Sequence, residues 1–379
     1  MKLIYCTHSL CNPGGMERVL VNKVTYLVEE LHWDVSIVTT DQKGRPVFYP
    51  LPAGVRMTDL DINYSDDNSK HPVGKIIGYL LKRRKHRKRL AAFLMKEKAD
   101  IVVSLYPSES SFIPKIKDGS KKVLELHYCK FFRLQYGRGG LLGWIDRWRT
   151  KQDERIVSRF DKFIVLTKED KGYWGNLPNI EVIPNAAKFI GNTYSDVLKH
   201  RVIAVGRMDY QKGFDRLICA WELIQQHEQF KNWHLDIFGQ GEWKGMLQQM
   251  IDERGLGASV ALNAPTKSIG REYADSAMLV MSSNYEGFPM VMIEAMASGL
   301  PVVSFDFKCG PKDIIDNNVN GILVHNGDIK GLADAMMRLM GDEELRRSMS
   351  VQARKVVDTY SEETVMKQWV ELFESLVEK

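Results

Sequence analysis

Short apolar runs alternate with longer amphipathic stretches, and the pattern is met twice along 379 residues. This constrains the fold more than any other feature of the sequence. Lys2–Cys6, Trp33–Thr40, Val55–Ile62, Asp100–Leu105, Lys121–Leu126, Phe160–Leu166 and Ile180–Ile183 read as strands, rich in β-branched and aromatic residues. Helical patterns such as Gly15–Leu31 and Val73–Lys98 lie between them. Strands interleaved with helices predict a parallel sheet covered on both faces. After Asn185 the rhythm restarts, with strands at Arg201–Val205, His234–Phe238, Ser259–Leu262, Ala277–Met281 and Pro301–Phe305. Helices near Phe214–His227, Glu242–Arg254 and Pro289–Ser298 separate these, and Ile329–Met340, Asp342–Tyr360 and a last helix from Ser361 follow. A chain of this length exceeds one ordinary core. The expectation is two α/β domains, 1–187 and 188–360, with a terminal segment 361–379 and a polar linker at Asn185–Lys199.

Apolar residues make up 44% and charged residues 27% of the chain, ordinary globular values that argue against disorder. The five cysteines are scattered, with no C-x-x-C pair, so a disulfide framework or structural zinc is not expected and a reducing compartment is. The first residues read as a strand rather than a signal-peptide core. No apolar run reaches membrane-spanning length. A cytoplasmic protein, soluble or peripheral, is the expectation. The net charge of +5 is unevenly spread. Residues 1–187 hold 32 Lys and Arg against 21 Asp and Glu; the remainder hold 21 against 27. A basic half joined to an acidic half suggests that the first half meets something anionic.

Ligands of open α/β sheets bind beyond the carboxyl ends of the strands, so strand-to-helix junctions are where chemistry is sought. At the first junction, Gly14 and Gly15 open a helix, where glycine permits close backbone approach and helix N–H groups face an anion. In a second, Gly206–Gly213, Arg207 and Lys212 offer a guanidinium fork and a point charge suited to a diphosphate. The third runs from Ser282 to Pro289 and into a helix, with Pro289 at the first helical position. There the amides of Phe288, Met290 and Val291 face a ligand, Glu286 can accept sugar hydroxyls, and Glu294 can take both hydroxyls of a ribose. Glu294 sits among Val291, Met292, Ile293, Ala295 and Met296, which predicts a buried carboxylate.

Together these loops resemble the family-4 retaining glycosyltransferases of GT-B fold. The resemblance rests on Glu286 and Glu294 in the run EGFPMVMIEAMASGLPVV, on Gly206-Arg207 with Lys212-Gly213, on Ile183-Pro184-Asn185 and on Gly14-Gly15, in that family's order. It implies two Rossmann-like domains whose parallel sheets face each other across a cleft, with the last helix crossing back to the first domain. It also implies that Arg207 and Lys212 bind the donor pyrophosphate, with Gly15 contacting phosphate. Glu294 would bind ribose, and Glu286 with the Gly287, Phe288, Pro289 and Met290 backbone would hold the transferred sugar. His127, at the end of Leu124-Glu125-Leu126, matches the family's active-site histidine. The base would lie near Asn263 and Pro265. The segment Cys309–Ile315 resembles a G-P-x-E-I-I stretch of members using UDP-linked hexoses or N-acetylhexosamines, with Asp313 in place of Glu.

The implied reaction is front-face transfer from a nucleotide diphosphate sugar to a glycan or polyprenyl-linked glycan acceptor. The other GT-B reading is a nucleotide-sugar epimerase. No metal or other cofactor is expected; Asp59-Leu60-Asp61 is nominally D-x-D but lies in a strand far from the donor motifs. The basic run Lys82, Arg83, Arg84, Lys85, Arg87, Lys88 and Arg89, with His86 inside it and apolar residues on either side, suits an anionic membrane surface. The expected location is therefore the inner face of the cytoplasmic membrane. Nucleic-acid binding through the same run would leave the Glu286 and Lys212 loops without a purpose, and it is not expected.

Overall fold

The structure is a computed structural model that describes residues 1–67, 69, 71–105, 107, 109–134, 139–187 and 194–378. The chain forms two compact units. One comprises Met1–Leu166, Lys171–Ile183 and Met366–Lys379; the other comprises Thr167–Asp170 and Pro184–Val365.

The first unit runs β1 (Lys2–Cys6), α1 (Gly15–Glu29), β2 (Asp34–Thr39), β3 (Arg56–Asp59), α2 (Pro72–Glu97), β4 (Ile101–Leu105), β5 (Lys121–Glu125), α3 (Gly140–Val157), β6 (Lys162–Val165), α4 (Lys168–Trp174, begun in the second unit) and β7 (Ile180–Val182). Its seven-stranded sheet has the order β3-β2-β1-β4-β5-β6-β7, and all its pairings are parallel. Leu3, Ile4, Tyr5 and Cys6 on β1 and Ile101–Val103 on β4 are fully or almost fully buried, as central strands covered on both faces require. The edge strand β3 is polar and exposed. The expected strand Val55–Ile62 is twice as long as β3. The chain leaves the ladder because Asp61 and Asn63 take left-handed backbone angles (φ 50° and 58°). Leu60 and Ile62 still enter the core.

The second unit runs β8 (Arg201–Val205), α5 (Phe214–Ile224), β9 (His234–Phe238), α6 (Lys244–Glu253), β10 (Val260–Asn263), α7 (Ile269–Ala274), β11 (Met278–Met281), α8 (Met290–Ala297), β12 (Val302–Phe305), α9 (Pro311–Ile314), β13 (Gly321–Val324), α10 (Ile329–Gly341), α11 (Glu343–Ala353) and α12 (Val356–Tyr360). Its six-stranded parallel sheet has the order β10-β9-β8-β11-β12-β13. In place of one helix over Asp342–Tyr360 there are two. Asp342 ends α10 and caps α11, its Oδ1 accepting from the Leu345 amide at 2.9 Å. The described part of the expected linker belongs to the second unit. Ser195 donates to the Ser276 carbonyl at 2.5 Å, and Arg346 donates to that of Val197 at 3.0 Å. The rest of that linker, 188–193, lies outside the described residues.

The last helix, α13 (Glu362–Val377), places its residues from Met366 onward in the first unit. Trp369 and Phe373 are almost completely buried there, with Phe373 packed against Trp33 at 6.2 Å between ring centroids.

Candidate functional site

Strand order reverses between β8 and β11 in the second unit, and between β1 and β4 in the first. Such switch points are where doubly wound sheets hold ligands. The loops after β8 and β11 are the two that the sequence marks, and they pack backbone to backbone. Gly213 has φ +59°, and a Cβ on it would lie 2.4 Å from the Ser282 carbonyl oxygen. Gly239, from the loop after β9, approaches so closely that a Cβ would lie 1.8 Å from the Gly206 oxygen. Cross-links complete the frame. Ser282 Oγ donates to the Lys212 carbonyl at 3.0 Å, the Asn284 amide to Gln211 at 2.8 Å and Asn284 Nδ2 to Tyr210 at 2.5 Å.

This frame brings Lys212 and Glu286 together, with Lys212 Nζ 2.5 Å from Glu286 Oε1. Ser283 Oγ donates to the same oxygen at 2.8 Å, and Gln211 Nε2 donates to Oε2 at 3.0 Å. Both side chains are largely withdrawn from water, at 14% and 8% exposure. Arg207 stands out from the loop at 71% exposure, with Nη2 on Gln211 at 3.0 Å and Nε 3.4 Å from Asp209. Gln211 thus links Arg207 to Glu286. The sequence reading missed Gln211 and Arg216. Arg216 donates to the Ser282 carbonyl and to Asn326, and its guanidinium lies 4.7 Å from the Phe305 ring centroid, bracing the β11 loop. Its signal was its position one helical turn after Lys212.

Three expectations about the third loop are corrected. Pro289 is the cap before α8, and Met290 is the first helical residue. The Met290 amide donates to the Phe288 carbonyl at 3.0 Å in a local turn instead of facing outward. Glu294 is half-buried, while Glu286 is the buried carboxylate. Helical geometry explains the reversal. Met290, Glu294 and Ser298 recur every four residues on the accessible stripe of α8, and the apolar neighbours of Glu294 point elsewhere. Phe288 is buried against Tyr360, at 5.8 Å. Asn263 ends β10, with Nδ2 on Asp236 at 3.0 Å, and Pro265 beyond it is exposed. Both Asp313 carboxylate oxygens accept from the first amides of α4, those of Lys168 (2.6 Å) and Glu169 (3.2 Å).

In the first unit Gly14 caps α1, and space around Gly15 is open to at least 4 Å. The Glu17 carboxylate folds back over Gly14, and burial, the larger influence, raises its pKa while His127 and His8 oppose the rise. His127 Nε2 lies 3.2 Å from Glu125 Oε1. Glu125 is buried and bonded on the same oxygen to buried Lys23, whose ammonium sits 3.5 Å from the Trp369 ring centroid. Burial alone would raise the Glu125 carboxyl, but Lys23 and then His127 outweigh it and hold it at about 2. A buried ion pair behind His127 was not legible, because Lys23 and Glu125 are 102 residues apart.

The basic run forms the middle of α2. Lys82, Lys85 and Arg89 donate to the carbonyls of Asn63 (2.5 Å), Asp61 (2.6 Å) and Leu60 (2.5 Å), and Arg83 donates to Ser111 Oγ at 3.0 Å. Arg84, Arg87 and Lys88 make no ion pair or side-chain hydrogen bond among the described residues. Of the seven cations read as suited to an anionic surface, Arg84, Lys85, Arg87, Lys88 and Arg89 are exposed and Lys82 and Arg83 are half-buried, with Lys82, Lys85 and Arg89 folded back onto the loop before the helix. His86 is buried, 3.2 Å from the Tyr64 hydroxyl. Asp59 accepts from the Lys43 amide (3.0 Å) and Thr39 (3.2 Å), and Asp61 faces Arg89 at 3.6 Å. No helix among the described residues is long and apolar enough to cross a membrane.

Two doubly wound domains, one with a Lys–Glu pair at its switch point and a histidine ending a strand of the other, define the chain as a GT-B protein. The profile of the family described as "Glycosyltransferase Family 4" matches residues 13–188, and that of "Glycosyl transferases group 1" matches 193–356. The chain belongs to this glycosyltransferase family. It is 35% identical over 219 residues to the amylovoran biosynthesis glycosyltransferase AmsD of Erwinia amylovora, covering 55% of this chain and 61% of that one. To the poly(ribitol-phosphate) alpha-N-acetylglucosaminyltransferase of Staphylococcus aureus it is 33% identical, over 59% of this chain and 47% of that one. In both cases the alignment spans less than two thirds of the relative. A mutant of S. aureus TarM, solved with fondaparinux, alpha-GlcNAc-glycerol and UDP, superposes with a TM-score of 0.74 at 20% identity, over 98% of this chain and 99% of that one.

Proposed function

We propose that the chain is a retaining glycosyltransferase of cell-surface polysaccharide synthesis. It moves a hexose or N-acetylhexosamine from a UDP-linked donor to a glycan or lipid-linked glycan acceptor. The observation that carries this reading is the Lys212–Glu286 pair, fixed at the switch point by two interlocked loops. An ammonium has three donors, and Glu286 engages one, which leaves the others for phosphate oxygens. Glu286 keeps acceptor capacity for sugar hydroxyls. Glu294, on the accessible stripe of α8, takes the ribose.

In front-face transfer the acceptor hydroxyl oxygen bonds to the anomeric carbon on the side that the diphosphate leaves. The anomeric C–O bond breaks, its electron pair goes to the diphosphate, and a phosphate oxygen takes the hydroxyl proton. Arg207 and Lys212 stabilise the departing charge in a site partly shielded from water. No step in this scheme calls on a metal, so full turnover in EDTA is the expected result, and loss restored by manganese would revise it. The AmsD and poly(ribitol-phosphate) transferase names support the polysaccharide setting, and the UDP in the TarM complex supports the nucleotide.

The exposed apolar side chains of α2 (Val73, Ile76, Ile77, Leu80 and Leu81) and of α3 (Leu142 and Trp144) stand beside Arg84, Arg87 and Lys88 in sequence or on the same unit. This supports peripheral docking on an anionic membrane at its cytoplasmic face.

The test is a screen of nucleotide sugars for thermal stabilisation, followed by assay of UDP release. A transferase stabilised by a UDP-sugar releases UDP only when acceptor is supplied. Conversion of the donor into its epimer without acceptor would replace this reading with an epimerase.

A further inference from the structure

Glu286 is the buried carboxylate at the switch point of the second unit, and three side chains hold it. Lys212 Nζ and Ser283 Oγ both donate to Oε1, at 2.5 and 2.8 Å. Oε2 has one partner among the described residues, Gln211 Nε2 at 3.0 Å. The other end of the same amide is engaged as well, with Gln211 Oε1 accepting from Arg207 Nη2 at 3.0 Å. One half-buried side chain therefore joins the exposed guanidinium to the buried carboxylate.

The chemistry that fits this position is narrow. A guanidinium only donates and an ionised carboxylate only accepts, so a side chain between them must accept at one end and donate at the other. It must also add no charge. A carboxylate here would satisfy Arg207 and repel Glu286, and an ammonium would do the reverse. A primary amide meets both demands, and its partners set its orientation, since only Oε1 can take the Arg207 proton and only Nε2 can serve Glu286. The backbone ties the residue down too. The Asn284 amide donates to the Gln211 carbonyl at 2.8 Å, from the same loop that carries Glu286.

We propose that Gln211 is the positioning residue of this site, setting the spacing between Arg207, which meets the diphosphate, and Glu286, which meets the sugar. This rests on the glycosyltransferase reading, and it makes Gln211 act through Glu286 on the sugar more than on the nucleotide. With Gln211 on Oε2, and Lys212 and Ser283 on Oε1, the carboxylate is fixed from both oxygens. The lone pairs left for sugar hydroxyls then point in set directions. Without Gln211 the carboxylate is held from Oε1 alone and can turn about that end. Lys212 still neutralises it, so nucleotide binding survives the loss.

Isothermal titration of the full chain with UDP, UDP-glucose and UDP-N-acetylglucosamine tests this through the ratio of UDP-sugar affinity to UDP affinity. Gln211→Met keeps the length of the side chain and removes both hydrogen bonds. Its ratio is expected to fall about tenfold, the worth of one hydrogen bond to a charged group, while UDP binding stays within about twofold. An unchanged ratio overturns the proposal, and so does a loss shared equally by UDP and the UDP-sugar, which would mark a merely structural role. Gln211→Glu gives a second reading in a variant that stays polar. Its new carboxyl meets Glu286 and Arg207, with Lys212 and Asp209 as the other charged groups of the loop. Two carboxyls at this range share a proton, and the protonated form donates to Glu286 as the amide does. The ratio in this variant is therefore expected to be low at about pH 8 and to recover about fivefold at about pH 5.5, while the wild-type ratio stays flat. A variant that follows the wild type at both pH values overturns the proposal. Wild type that binds neither UDP nor either sugar nucleotide would be a failure of the donor reading itself, seen before any variant is made, and would remove this proposal with it.

Discussion

Lys212 and Glu286 carry opposite charges in the site proposed for an anion and a sugar, and each conditions the other. Removing Lys212 leaves Glu286 buried without its cation and takes away a fixed donor to the leaving group. Fixed donors of this kind are worth ~2.7–4 kcal/mol in the transition state, so Lys212→Ala is expected to lower turnover by about two to three orders of magnitude. Glu286→Gln should divide binding from chemistry: UDP alone binds no more weakly, since the repelling charge is gone, whereas turnover of the nucleotide sugar falls. Calorimetry and initial rates on the two variants check this, and weaker UDP binding by Glu286→Gln would refute it. Lys23 and Glu125 obey the rule for buried pairs. Lys23→Met strands a buried carboxylate at a cost of ~3–5 kcal/mol, while Lys23→Met/Glu125→Leu recovers most of that stability. Urea unfolding followed by tryptophan fluorescence measures both. At this scale the sequence reading marked both Glu286 and Glu294 and expected the wrong one of the two to be buried. Glu294 looked embedded because its neighbours in the chain are apolar, yet a helix turns those neighbours away. Glu286 lies in a polar loop for which no burial was expected, and that loop folds over it.

Element α2 shows what a charge run becomes in a helix that must dock. Its alternation of cations with Leu90 and Leu94 places one stripe in the core, and His86 enters the core with it. Burial lowers His86 from its ordinary 6.5 to about 4, so the native state binds fewer protons than the unfolded chain between those values. Stability from this group is present above pH 6.5 and is lost as pH falls towards 4, by ~3 kcal/mol in all. Glu109, buried with Oε1 accepting from Ser104 at 2.5 Å, runs the other way. Burial raises its carboxyl from 4.5 to about 7, and its contribution, present below pH 4.5, is lost as pH rises to 7. The two slopes oppose each other between about pH 4.5 and 6.5. His86→Leu is therefore expected to tilt stability downward with rising pH across that window relative to wild type, and Glu109→Gln to tilt it upward. Urea midpoints at three pH values read the slopes; parallel profiles for all three proteins would contradict the assignment. Arg84, Arg87 and Lys88, exposed and without an ion pair or side-chain hydrogen bond among the described residues, make a separate prediction. Arg84→Ala/Arg87→Ala/Lys88→Ala should lose flotation with anionic vesicles at low salt while its melting temperature is kept, because each cation near such a surface is worth ~1 kcal/mol. Most strands and the helices α1, α2, α5, α6, α8, α10 and α13 were legible from periodicity, since burial imposes it; α3 (Gly140–Val157) was not read. The single-turn α9 was not, since four residues cannot show a helical period, and β13 was not read either.

Across the whole chain, the asymmetry of charge follows the division into units. The first half holds the excess of cations and the second half the loops proposed to hold the donor. The return of α13 breaks this sequence order, because residues 366–377 complete a core whose other members lie within the first 183 residues. Six of its side chains (Val365, Met366, Trp369, Leu372, Phe373 and Leu376) are buried, each worth ~1.5–3 kcal/mol against exposure. Trp369 also covers the Lys23 ammonium, so the helix shields the ion pair that holds His127. Deleting residues 362–379 is expected to destabilise the first unit selectively. Hydrogen exchange would show lost protection in α1 and β5, while β8, β11 and α8 keep theirs and UDP still raises the melting temperature of the second unit. The milder Trp369→Ala, costing ~3–5 kcal/mol as a large-to-small core change, should weaken α1 and β5 in the same order without removing the helix. Uniform loss of protection in both units would show instead that α13 stabilises the chain as one cooperative block.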